Sequence, residues 1–148
     1  MTHRLATRLL GALLLVVLSP LAGRGATPGH FRPVEIWLDS GDVPLAAYQL
    51  EISAGGDAVI VGVEGGATPP FTDPPRYDPA ALQGGRIILA TFSTAADLPR
   101  GRTRVATLHV REAGDRAPQY HATVVAAAGA DGRPIPATVN LVAQGDPS

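Results

Sequence analysis

The feature that most constrains the fold of this chain is a short-range alternation of apolar and polar residues. Apolar side chains occupy every second position in several short runs, as at Tyr48, Leu50 and Ile52. Successive side chains of a β-strand point to opposite sides, so each run has one side suited to a core. Clusters of glycine, proline and aspartate separate the runs, and no stretch sustains a helical period. The sequence therefore predicts an all-β sandwich of at least seven strands.

The alternation also predicts which residues form the core. One side of each run carries the larger apolar residues and the other side carries mostly polar ones. The predicted core positions are Val34, Ile36, Leu38, Ala46, Tyr48, Leu50, Ile52, Val59, Val61, Val63, Ile88, Ala90, Phe92, Ala106, Leu108, Val110, Tyr120, Ala122, Val124, Ala126, Ala137, Val139 and Leu141.

Two of the runs match in register as a β-hairpin. If residues 104–111 and 119–126 pair about Asp115, Leu108 lies opposite Ala122, and core residues meet core residues throughout. A slip of one residue would destroy this match. The sequence thus predicts a hairpin of these two strands.

The same register places His109 opposite His121 on the outer side of the hairpin. A metal site usually needs three or four ligands, and the sequence offers no third one nearby. We therefore expect a solvated polar surface there, with neither a metal nor a cofactor.

A proline-rich segment at residues 64–85 interrupts the rhythm of strands. It exceeds the usual length of a loop without structure of its own, which indicates a functional loop or a short element. Asp78 followed by Pro79 is typical of the start of a helical turn. Phe71 and Tyr77 either contribute to a contact surface or pin the segment to the sandwich.

The run that follows, residues 86–93, supplies the candidate partner surface. With Ile88 assigned to the core, Ile87 and Leu89 project to the opposite side, which is wet in most sandwiches. Either the proline-rich segment covers them, or they form an exposed apolar patch that marks a protein contact. The candidate partner-binding residues are Ile87, Leu89, Phe71 and Tyr77.

Residues 1–25 have the pattern of an export signal. Arg4 and Arg8 precede an apolar stretch from Leu9 to Leu18, and small residues follow it, which predicts cleavage after Gly25 or Ala26. Residues 26–148 then form a single secreted or periplasmic domain with no membrane contact after cleavage. The chain has no cysteine, so this domain has no disulfides and depends on its core.

Charge and residue content exclude two further classes of function. Beyond residue 25 nine arginines stand against thirteen acidic residues. Nucleic-acid binding calls for a basic surface, so we expect no nucleic-acid partner. No serine lies in a nucleophile elbow, and Glu35 and Glu51 are placed on outward sides, so we expect no catalytic residues and no enzyme.

Several of the runs resemble the strands of a bacterial cohesin module. Residues 44–52 (PLAAYQLEI), 60–66 (IVGVEGG) and 85–93 (GRIILATFS) are similar to successive strands of that family. Residues 101–110 (GRTRVATLHV) resemble a late strand, and residues 131–136 (DGRPIP) resemble the final turn. The resemblance covers roughly residues 33–142.

This resemblance implies a noncatalytic jelly-roll β-sandwich of up to nine strands. Cohesins dock a partner module, the dockerin, on one sheet face, so the expected function is that of an exported protein-binding module with a dockerin-like partner. Carbohydrate-binding modules share this class of fold, and binding of a polysaccharide is the alternative. Exposed, coplanar aromatic rings would be needed for it, and Trp37, Phe71 and Tyr77 are the candidates.

Overall fold

The computed structural model describes residues 29–113 and 118–145. These residues form seven β-strands in two antiparallel sheets, which confirms the predicted all-β sandwich. The signal segment predicted at residues 1–25 lies outside the described residues. The strands are β1 (His30–Asp39), β2 (Ala47–Ala54), β3 (Val59–Gly65), β4 (Arg86–Phe92), β5 (Arg102–Glu112), β6 (Tyr120–Ala128) and β7 (Thr138–Ala143).

The core lies between the two sheets. One sheet has four strands in the order β3-β5-β1-β7, and the other has three in the order β4-β2-β6. The alternation predicted for β1 and β2 is confirmed, because alternate side chains of these strands are buried. In β5 the predicted residues are buried, but the register against β1 shifts beside Val105, and Val105 is fully buried as well. The buried set from these three strands includes Val34, Ile36, Leu38, Tyr48, Leu50, Ile52, Ala106, Leu108 and Val110.

The predicted hairpin of residues 104–111 and 119–126 is wrong. β5 pairs with β1 and β3, whereas β6 pairs with β2 in the other sheet. Leu108 and Ala122 do both belong to the core, but they approach it from opposite sheets. A shared core produces the same alternation as a shared hairpin, so the pattern alone did not separate the two arrangements. Asp115, the predicted turn residue, lies outside the described residues.

Irregular pairing in β3 and β6 also changes which residues point inward. The register of β3 shifts between Ile60 and Gly62, and Ile60 is fully buried instead of Val61. In β6 the shift lies beside Val125, and Ala127 is buried instead of Ala126. An extra residue in one strand of a pair reverses the alternation beyond it, which explains both differences from the prediction.

The proline-rich segment covers one lateral side of the sandwich. Ile60 of β3 donates its N–H to Gly84 and accepts a hydrogen bond from Gln83, both at 2.8 Å. Arg76 exchanges two backbone hydrogen bonds with Ala90, at 2.8 and 2.9 Å, along the outer edge of β4. We call this side, made of β3, β4 and residues 66–85, the closed side.

Two local features let the proline-rich segment follow this path. The predicted helical turn is confirmed as a 3-10 turn at Pro79–Ala81, and the Asp78 carboxylate accepts a hydrogen bond from Ala80 N–H at 2.9 Å. At the start of the segment, Gly66 passes so close to β5 that a Cβ atom would lie 2.0 Å from the carbonyl oxygen of Arg104. Only glycine permits this approach without a backbone shift.

The opposite lateral side, made of β6 and β7, has less cover, and we call it the open side. Ile135 donates a backbone hydrogen bond to Ala127 at 3.0 Å near the end of β6. Gly129 donates a second one to Arg133, also at 3.0 Å, and these two bonds form the isolated bridge between Ala128 and Pro134. No helix among the described residues is long and apolar enough to cross a membrane.

Candidate protein-binding face

The structure places the two predicted contact residues of β4 in the core. Ile87 and Leu89 are 1% and 0% exposed. They lie opposite Ile52 and Leu50 of β2, whose side chains point inward. The prediction for β4 had its two sides reversed, and Ile88 points outward instead.

The reason for this error is a run of four apolar residues at positions 87–90. Either phase of such a run supplies a pair of aliphatic side chains to the core, so alternation within β4 does not choose between them. The register against β2 makes the choice, because cross-strand neighbours point to the same side of a sheet.

Phe71 and Tyr77 also lie apart from any exposed patch. Phe71 is 2% exposed, and its ring meets Tyr48 edge-on with 5.5 Å between the ring centroids. Tyr77 is half-buried against the same core. Pinning of the proline-rich segment to the sandwich, one of the two alternatives for these aromatic residues, is therefore what the structure shows.

A different set of apolar residues is exposed on the outer side of the three-stranded sheet. Phe92 is 72% exposed, Val125 is 52% exposed and Ile88 is 38% exposed. We call this surface the apolar face. It consists of Phe92, Ile88 and Val125 together with Ala47, Ala90, Ala126 and Ala128.

The register of the three strands places the residues of the apolar face in adjacent rows, which Gln49 and Glu51 of β2 interrupt. Ala47 of β2 lies between Phe92 of β4 and Ala128 of β6. In the next row, Gln49 lies between Ala90 and Ala126. Neighbouring strands are about 4.8 Å apart, so the alanine side chains form a shallow floor around Gln49 and beside the Phe92 ring.

An ion pair borders the apolar face toward the far end of the sheet. Arg86 Nε donates to Glu51 Oε1 at 2.7 Å. This hydrogen bond and the charge of Arg86 hold the pKa of Glu51 below its ordinary value, and the same contact raises the pKa of Arg86. Both groups stay ionised at neutral pH and give the apolar face a charged rim.

The outer side of the four-stranded sheet is polar by contrast, and its centre is Glu35. The Glu35 carboxylate accepts hydrogen bonds from Arg104 at 2.8 Å, Trp37 Nε1 at 3.0 Å and Gln144 at 3.1 Å. Partial burial raises the pKa of Glu35, but these three donors outweigh it and leave the pKa below its ordinary value. With three donors engaged, the Glu35 carboxylate on β1 links Arg104 of β5 to Gln144, which follows β7.

Trp37 and Thr107 extend this polar network. The guanidinium of Arg102 lies over the Trp37 ring, 4.4 Å from its centroid. Thr107 lies between Glu35 and Glu64 in the register and is only 6% exposed, because long side chains on both neighbouring strands cover it.

The two histidines predicted to lie opposite each other are on different sheets. His109 neighbours Gly62 of β3, and His121 lies opposite Ser53 of β2. His109 Nε2 is 2.9 Å from a carboxylate oxygen of Glu64, but the alignment is not that of a hydrogen bond. Among the described residues, no group of three or more potential ligands is placed to hold a metal ion.

A buried carboxylate, which sequence reasoning did not find, links the two sheets. Glu112 at the end of β5 is 3% exposed. It contacts Arg32 Nε at 3.0 Å and His30 Nε2 at 2.5 Å, both on β1, and it accepts a hydrogen bond from the Tyr120 hydroxyl of β6. Buried carboxylates are stable only when paired, so the arginine and the hydroxyl explain how Glu112 is tolerated.

A shallow cleft of about 580 Å³ lies beside the apolar face, between the second half of β6 and the β6–β7 connection. Val124, Val125, Pro134, Ile135 and Pro136 are among its lining residues, so it is mostly apolar. The cleft extends the apolar surface toward the open side.

Comparison of the chain with protein-family models, with curated proteins and with solved structures finds no match. The cohesin resemblance of the individual strands therefore stays a prediction, and the fold and the surface carry the functional argument.

Proposed function

We propose that this chain is an exported, noncatalytic protein-binding domain that docks a partner protein through the apolar face. The exposure of the Phe92 ring is the observation that supports this proposal. In a two-sheet sandwich the inner sides form the core and the outer sides are ordinarily polar. Several exposed apolar side chains grouped on an outer side are typical of a protein contact.

The composition of the apolar face indicates what kind of partner fits it. Phe92 is the one large aromatic side chain on the face and would act as an anchor in a pocket of the partner, as interface aromatics commonly do. The alanines beside it allow a close approach of the partner's surface. The ion pair of Arg86 and Glu51 supplies a polar rim, as is usual around the apolar centre of an interface.

The resemblance to cohesins supports the same mode of binding, since those modules dock a dockerin on a sheet face. A dockerin-like module is accordingly the partner we propose, and the predicted signal segment makes a secreted or periplasmic protein the place to look for it. The partner surface is carried by Phe92 and Ile88 in this proposal, and no longer by Ile87 and Leu89.

The side chains named for polysaccharide binding do not form a platform. Phe71 is in the core, and Trp37 lies under Arg102 on the polar side of the other sheet. Coplanar, accessible rings are what a sugar platform requires, so the arrangement favours protein binding over this alternative.

The proposal is tested by Phe92→Asp. Because the side chain is 72% exposed, we expect an unchanged melting temperature. Capture of secreted proteins from the producing organism by the immobilised chain identifies the partner by mass spectrometry. Titration of that purified partner should then show binding weakened by about thirtyfold or more, the usual effect of losing an interface anchor.

Phe31 offers a matched control, because it is 69% exposed and lies on β1 of the other sheet. Phe31→Asp makes the same chemical change away from the apolar face and should leave binding unaltered. Equal binding by wild type and Phe92→Asp, or equal losses in both variants, would refute the apolar face as the docking surface.

A further inference from the structure

A cation lies at the border of the apolar face, on the closed side. Arg76 exchanges two backbone hydrogen bonds with Ala90, so it extends the three-stranded sheet beyond β4 by one residue. Directly paired residues of an antiparallel ladder point to the same side of a sheet. Leu89 is fully buried, so Ala90 points outward, and Arg76 does the same. Tyr77, the next residue along the chain, packs against the core, which agrees with this direction.

Arg76 is close to the proposed anchor of the apolar face. Ile88 and Phe92 flank Ala90 on the outward side of β4, two positions away in either direction. They are therefore the diagonal neighbours of Arg76, at Cα distances of about 7–8 Å. Long side chains interact across this spacing, so the guanidinium belongs to the same surface as the Phe92 ring.

The charge of Arg76 is available to a partner. The side chain is exposed, and within residues 29–113 and 118–145 its guanidinium has neither an ion pair nor a hydrogen bond. Arg86, at the far end of β4, differs because Glu51 binds it at 2.7 Å. The apolar face thus has a neutralised ion pair at one end and an unpaired cation beside Phe92.

We propose that the partner protein places the carboxylate of an aspartate or glutamate against Arg76 while it takes up Phe92. This inference rests on the proposed function of the apolar face. A partner that covers Phe92 and Ile88 also removes water from the neighbouring guanidinium, and a charge that loses its water is unfavourable unless an opposite charge meets it. A carboxylate fits the guanidinium with two parallel hydrogen bonds.

Charge complementarity at this one point also sets the orientation of the partner. Beyond residue 25 thirteen acidic residues stand against nine arginines, so the domain as a whole does not attract an acidic partner. A carboxylate is attracted at Arg76 and is repelled where it approaches acidic side chains instead. The contact thus fixes which way round the partner sits on the apolar face.

The first test measures how the charge at position 76 affects binding of the partner that the wild-type chain captures, once that partner has been identified and purified. Arg76→Gln should raise the Kd about tenfold, and Arg76→Glu should raise it further, because a second carboxylate then faces the first. Raising the salt concentration should narrow the difference between the two variants. Arg76 is exposed and its backbone bonds are kept, so both variants should melt like the wild type.

Arg111→Glu is the matched control. Arg111 lies opposite the exposed Phe31 on the outer side of the four-stranded sheet, so it is a second cation beside a phenylalanine, away from the apolar face. This variant should bind like the wild type. Equal Kd values for Arg76→Gln and Arg76→Glu, or tighter binding by Arg76→Glu, would overturn the acidic contact.

Chemical coupling gives a second test, because the chain has no lysine. Arg76→Lys keeps the positive charge and adds an amine, which a carbodiimide joins to a carboxylate only when the two are in contact. In the complex, Arg76→Lys should become linked to an aspartate or glutamate of the partner, which mass spectrometry identifies, and Arg111→Lys should not. No link at position 76, or equal links at both positions, would refute the contact.

The acidic contact and the proposed function fail in different ways. If Phe92→Asp weakens binding but the Arg76 variants neither weaken it nor form a link, the apolar face remains the docking surface and the acidic contact is wrong. If Phe92→Asp binds like the wild type, or if the wild-type chain captures no partner, both are wrong.

Discussion

The closed and open sides of this sandwich solve the same problem in different ways. At each side, the gap between the two sheets and the edges of two strands need cover. On the closed side, Phe71 fills the gap and the backbone of Arg76 pairs with the edge of β4. On the open side the gap is lined by residues such as Leu141 that stay partly exposed.

The comparison shows a structural role for the proline-rich segment, whose length had left a functional loop and a short element as alternatives. Its prolines and glycines allow an extended path beside the sheets, and its aromatic residues add to the core. The open side has no such segment among the described residues, and the side chains that line its gap stay partly exposed. The following predictions test this division of roles.

The largest effect is expected from Phe71→Ala on the closed side. Removal of a fully buried ring leaves a cavity next to Tyr48, and such changes usually lower the free energy of unfolding by about 3–5 kcal/mol. Leu141→Ala on the open side removes a partly exposed side chain and should cost less than about 2 kcal/mol. Urea denaturation of both variants compares them, and an equal or larger loss for Leu141→Ala would contradict the distinction between the sides.

A smaller effect is expected from the two tyrosines that link the sheets. On the open side, the Tyr120 hydroxyl donates to the buried carboxylate of Glu112, and Tyr120→Phe should cost about 1–3 kcal/mol because a buried charge loses a donor. Beside Phe71, the Tyr48 hydroxyl donates to the neutral Val105 carbonyl at 3.2 Å.

Burial raises the pKa of Tyr48, so its hydroxyl is a donor at neutral pH. Tyr48→Phe should cost about 0.5–1.5 kcal/mol, less than Tyr120→Phe. Thermal and urea denaturation measure both costs. The reverse order would mean that the carboxylate of Glu112 is satisfied without Tyr120.

The smallest effect is expected at acid pH, where the hydrogen bond that holds the residue just after β7 should weaken. Gln144, just after β7, is held by the Glu35 carboxylate. Because the pKa of Glu35 is lowered in the folded chain, its contribution to stability is present above the unfolded pKa and is lost as the pH falls through the folded pKa. Glu35→Gln should therefore flatten the decline of unfolding free energy below about pH 5.

Glu51→Gln is the control for this experiment. The pKa of Glu51 is also lowered, but its ion pair with Arg86 is exposed to solvent, where such pairs contribute little. Urea denaturation at a series of pH values should show a flatter acid limb for Glu35→Gln than for Glu51→Gln. Identical acid limbs would show that the Glu35 network does not fasten β7.

Much of this fold was predictable because strands with one buried side leave a period of two in the sequence. The inward residues of β1, β2 and β5 and the capped turn after Asp78 follow from local rules of that kind. The candidate site was not predictable in the same way. Its key residue, Phe92, was assigned to the core, and the residues assigned to the surface, Ile87 and Leu89, are buried.

The sequence by itself determined the class of fold, the approximate strands and the inward side wherever apolar and polar residues alternate without interruption. Tertiary structure alone decided which strands pair, as the separation of β5 and β6 into different sheets shows. It also decided the two sides of β4, where Leu89 packs opposite Leu50 and Phe92 stays outside. The physical reason is that alternation records whether a side chain is buried and not which strand buries it, so pairing, bulges and exposed apolar surfaces depend on contacts between residues far apart in the chain.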